Sequence, residues 1–93
     1  MKENVIPISD SIYRLNQLKP SRFNFIGESN KTVDGFIAHE VQDIVPEAIV
    51  GEKDEIDKDG NPFYQGIDQA KLVPLLVAAI QELETRVKEL ENK

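Results

Sequence analysis

Histidine, serine and clustered carboxylates are the side chains of this sequence that could build a catalytic or metal site. His39 is the only histidine, with Glu40 and Asp43 close by in sequence. A general base needs a nucleophile within reach and a metal needs further ligands, and two carboxylates supply neither. As a first-turn helix residue holding a backbone hydrogen bond, His39 needs no further role. Ser9, Ser11, Ser21 and Ser29 are accounted for by capping and turn roles. The run Asp57-Lys58-Asp59-Gly60-Asn61 invites a calcium-loop reading. With Gly60 at the sixth loop position, Glu55 stands first and Gly66 stands twelfth, where a bidentate glutamate is required. The pattern fails, and a hairpin turn is expected. Cysteine is absent, so thiolate chemistry, disulfides and a cysteine zinc site are excluded. No metal or cofactor is expected.

A different kind of pattern dominates the C-terminus. Apolar residues recur at Val73, Leu76, Ile80, Leu83, Val87 and Leu90, with spacings alternating between three and four. Val73, Ile80 and Val87 take heptad position a, and Leu76, Leu83 and Leu90 take position d. Such a stripe has no use in a lone helix, and its simplest partner is another copy of itself. Arg86 at g can meet Glu91 at e of a parallel neighbour, which favours parallel, in-register chains. Glu82–Arg86, Glu84–Lys88 and Glu89–Lys93 are acid-first pairs at i,i+4 that support the helix. In model systems β-branched a positions with leucine at d favour dimers. An amphipathic helix folded back on its own domain is the competing arrangement. The seam falls at or below the roughly three heptads of an autonomous coiled coil, so association must be cooperative with folding of the body.

The 93 residues make one small domain, read as a globular body over 1–67 and a helical segment over 68–93. A body that small buries little surface and needs staples or partners. No apolar run approaches the roughly 18 residues of a membrane span, and no signal-peptide pattern opens the chain. Against 11 basic residues stand 17 acidic ones, a net charge of -6. Acid concentrates between Glu40 and Asp59, where only Lys53 and Lys58 oppose it. That surface repels phosphate backbones, so neither nucleic acid nor membrane is an expected partner.

The elements that must position these residues are short. Ser9-Asp10-Ser11 before Ile12, Leu15 and Leu18 reads as a capped helix of about three turns, with Ile8 as a hydrophobic staple, ended by Lys19-Pro20. Arg22 to Ile26 alternates as a strand with Phe23 and Phe25 on one face, and Gly35 to Ala38 is the expected return strand across a polar turn. His39 to Val45 reads as a helix with Val41 and Ile44 on one side, stopped at Pro46. Ala48-Ile49-Val50 and Phe63-Tyr64-Gln65 are strand-like, joined through the Asp57–Asn61 turn. Phe23, Phe25, Phe36 and Phe63 read as core, whereas Tyr13 and Tyr64 fit either core edge or protomer contact. Asp68 is placed to cap the long helix. Pro74 then conflicts with a helix interior, where it removes a hydrogen bond and crowds the Ala70 carbonyl. Either the helix bends there or its first turn is distinct from the coiled coil, and a bend is the favoured expectation, with the turn before it docked on the body. The fold class is α+β, a small hairpin and helix body with a long C-terminal helix.

These segments in this order resemble a known family. Gly35-Phe36-Ile37-Ala38-His39-Glu40-Val41-Gln42, then Pro46-Glu47-Ala48, then Gly66-Ile67-Asp68 and Lys71-Leu72-Val73-Pro74-Leu75-Leu76 look like the C-terminal intramolecular chaperone of phage tailspikes and tail fibres. This is the endosialidase-type chaperone, also called peptidase S74. Lys2-Glu3-Asn4-Val5 with Pro7-Ile8, and Leu18-Lys19-Pro20 with Phe23, match its opening segments. The resemblance implies a parallel trimeric coiled coil that brings an upstream fibre into register. The chaperone is then shed by self-cleavage with a Ser–Lys dyad. It also implies a location in the host cytoplasm during virion assembly. Lys2 falls on the dyad lysine, and the serine of the family's Ser-Asp-x-x-x-Lys segment would lie before Met1. The chain as given is therefore expected to be inactive by itself, and only a longer precursor would be an active self-cleaving serine peptidase. A generic coiled-coil module of a membrane-tethered transcription factor, sharing this fold family, is the third reading.

Overall fold

In the computed structural model, residues 1–51, 55–62 and 65–93 are described. Phe63 and Tyr64, expected in a strand, lie outside them. The chain is α+β, with two small antiparallel hairpins and a long C-terminal helix.

The first helix, α1, spans only Ser11–Leu15 rather than three turns. Beyond it the chain tightens, with Gln17 N–H donating to Arg14 O at 3.1 Å and Leu18 N–H to Leu15 O at 3.0 Å. This places Leu18 against the core. The expected cap also fails: Asp10 adopts the left-handed region at φ 56 and its side chain makes no capping bond. Ile8 remains exposed rather than stapled.

Strand β1 (Ser21–Asn24) pairs antiparallel with β2 (Thr32–Gly35), in the register Arg22 to Asp34 and Phe23 to Val33. The return strand thus ends at the residue where the sequence pattern has it begin. Phe36 is needed elsewhere, since it packs against the core, and Ile37 becomes the N-cap of the next helix. Phe23 and Phe25 meet edge to face, 5.2 Å apart. Only Phe23 is half-buried; Phe25 lies past the strand end and is exposed, against the expectation of a core position. Arg22 Nε donates to Asp34 Oδ1 at 2.8 Å across the hairpin, and this bond holds the exposed guanidinium above its ordinary pKa.

Helix α2 (Ala38–Gln42) runs into a 3-10 turn at Pro46–Ala48. Proline opens that turn as well as ending the helix, because its fixed φ suits a first helical position. Val41, Val45 and Ala48 are thereby buried on one side, with Ile44 at the margin. Strands β3 (Ile49–Val50) and β4 (Gly66–Ile67) form the second hairpin. The turn expected at Asp57–Asn61 is present: Ile56 bridges Pro62, and Asp57 Oδ1 accepts from the Asp59 and Asn61 amides at 2.9 Å each. Gly60 sits at φ +82, where a side chain would be strained.

Asp68 caps as expected, its Oδ1 accepting from Ala70 N–H at 3.2 Å, while its own N–H donates to Ala48 O at 2.7 Å. The Pro74 conflict is resolved just beyond this cap. Gln69–Leu72 forms a separate 3-10 turn, and α3 (Val73–Glu91) starts only at Val73. Pro74 then lies in the first turn, where its missing N–H had no partner to lose. No interior penalty arises, so the expected bend gives way to a helix start. Leu72 and Leu75 close the core against Val41, Val45 and Ala48.

Candidate functional site

Helix α3 presents two apolar stripes about a quarter-turn apart. Leu72, just before the helix, Leu75 and Ala79 are buried in the body, and Glu82 continues this line against α1. The heptad seam lies on the other stripe. Val73, Leu76, Ile80, Leu83, Val87 and Leu90 are all exposed, Ile80 at 64% and Leu90 at 65%. The competing arrangement, in which the seam is satisfied by its own body, is therefore not the one adopted. The body instead takes the residues one position before Val73, Leu76, Ile80 and Leu83, at g and c.

From Leu83 onward every residue is exposed. A helix of 19 residues is about 28 Å long, and its distal half projects from the body. An isolated surface helix normally shows a polar outer face. Here the outer face carries a continuous apolar strip. Two of the expected helix pairs form, Arg86 Nη2 to Glu82 Oε1 at 3.4 Å and Lys88 Nζ to Glu84 Oε1 at 2.9 Å. Both are well exposed and worth a few tenths of a kcal/mol. Arg86 and Glu91, the g and e residues, are exposed on the two sides of the strip.

The heptad pattern misses one part of this face. Val77, at position e, is 47% exposed and widens the strip beyond a and d. An apolar residue at e, where charge is usual, is the available signal.

The remaining chemical candidates do not converge. Lys2 lies in the irregular, exposed segment 1–10. Ser11 is buried and its Oγ donates to Glu82 Oε2, while Ser21 Oγ donates to the Lys19 carbonyl at 3.1 Å. His39 is exposed in α2, beside Glu40 and Asp43. Among the described residues no three His, Cys, Asp or Glu side chains are grouped as a metal site would require. No helix among them is long and apolar enough to cross a membrane.

A family model described as chaperone of endosialidase, peptidase S74, matches residues 1–50. The chain belongs to this family. The matched half is the body up to β3; the seam lies beyond it. Two relatives extend the similarity to the whole chaperone chain: the long tail fiber proteins Gp37 of Enterobacteria phages K3 and T2, each 36% identical over 97 residues. The chain spans 8% of the first and 7% of the second.

Proposed function

We propose that this chaperone-family domain assembles as a parallel homotrimer through α3 and so brings an upstream phage fibre or tailspike segment into register for folding. The observation that carries the reading is the exposed seam on a helix whose neighbouring stripe is already buried. Each seam residue is roughly half covered in the single chain. Completing the burial of all six would contribute roughly 4–9 kcal/mol per helix. Joining three chain ends makes their further pairing intramolecular, at an effective concentration near millimolar for short tethers. Register is then set before long-range contacts form. The setting is the host cytoplasm during virion assembly. Sedimentation equilibrium on the purified chain should return three times the protomer mass at micromolar concentration. A monomer mass would end the proposal.

The family's peptidase name favours a second step, release by self-cleavage. Lys2 is then the general base for a serine supplied by a longer precursor. In a precursor carrying the serine, Lys2→Ala should abolish cleavage while the oligomer persists. Undiminished cleavage would remove Lys2 from the mechanism.

A further inference from the structure

The first amides of a helix have no intrahelical acceptor, and α1 is too short to hide them. Asp10, the residue placed to cap it, is turned away in the left-handed region. The cap comes instead from the other end of the chain. Glu82 Oε2 accepts from the Ile12 amide and from Ser11 Oγ, both at 3.3 Å, and the Ile12 contact spans 70 residues. Ser11 is only 5% exposed, so its hydroxyl has little water to turn to if Glu82 leaves. The second carboxylate oxygen, Oε1, accepts from Arg86 Nη2 at 3.4 Å. On the same side, Pro7 and Ile8 face Val73 and Val77 across an open groove of about 680 Å³.

We propose that Glu82 is a register clamp, tying the N-terminal segment to the seam helix so that the stagger set by the seam reaches the start of the domain. The proposal rests on the trimeric reading. One heptad slip moves a helix by about 10 Å. Released back to Arg14, which donates to the Ile44 carbonyl at 3.1 Å, the segment to Met1 would blur its end by roughly 20 Å, about two such steps. Held at Ser11, the ten residues before it blur that end by roughly 17 Å, and less at residues nearer the tie. Without the clamp, the start of the domain is tied less closely to the seam helix. Glu82 suits the task because it stands on α3 where the body contact ends and the projecting seam begins.

The sequence has no cysteine, so Val5→Cys offers a single labelling site outside the clamp. Spin-label distances between protomers should be narrowly distributed in the Val5→Cys chain. Adding Glu82→Ala should broaden them at unchanged trimer mass, and exchange of the Ile12 amide should accelerate about tenfold. Glu82→Gln keeps an acceptor oxygen while losing the negative charge that faces Arg86, and should stay within about twofold of the parent. Ile12 exchange unchanged in Glu82→Ala, or equally fast in Glu82→Gln, would overturn the clamp. So would an unbroadened distance distribution. If Glu82→Ala lowers the mass, Ser11→Ala, which leaves α3 untouched, carries the test and should accelerate exchange at the parent mass. A monomeric parent would remove the trimeric reading alone, since Ile12 exchange still reports the contact within one chain.

Discussion

The two stripes of α3 use similar residues for opposite ends. Leu75 is 3% exposed and Ala79 1%, yet Leu76 and Ile80, the next residues along, are 42% and 64% exposed. Hydrophobicity alone does not distinguish them. What does is the direction in which the 3-10 turn at Gln69–Leu72 delivers the helix onto the body. An apolar position thus becomes buried or exposed through its angle on the helix. A one-residue shift rotates the choice by about 100°.

Charging the seam should have the largest effect. Ile80→Asp should reduce the mass to that of a protomer and also melt the body, because a core with six buried hydrophobic residues among the described ones leaves little stability to spare. A protomer that keeps a cooperative thermal transition would show the two stripes to be independent. Next comes the body stripe. Leu75→Ala should cost about 2–5 kcal/mol, measured by denaturant titration. The parent's melting midpoint should rise with protein concentration. Leu75→Ala should lower the midpoint without changing that dependence, and a flattened dependence would assign Leu75 to the interface. Asp68→Ala, which removes the cap that aims α3, should cost about 1 kcal/mol and affect both stripes together. Asp34→Asn should leave the melting curve and the mass unchanged, since its pair with Arg22 is on the exposed hairpin.

Legibility follows the reach of the physics involved. The Asp57–Asn61 turn and the Asp68 cap depend on a side chain bonding backbone two to four residues away, and both are readable in the sequence. The cap at Ser9–Ser11 is not, because the acceptor that replaces it, Glu82, is on another helix. The second strand reads too late in the chain because Phe36 is apolar in either role. Only the core could claim it for packing rather than pairing. Pro74 looks like a helix breaker unless the helix is known to begin beside it.

The periodicity from Val73 to Leu90 determines on its own a long helix with an apolar seam, and the alternation from Arg22 to Ile26 beside short helical runs determines an α+β chain. Those features depend on residue type and spacing, which local backbone geometry converts directly into a face. The tertiary structure decided which of two interleaved stripes the body would take, and which distant carboxylate would cap α1. Both outcomes turn on how elements dock, and docking is set by the summed packing of residues far apart in the chain.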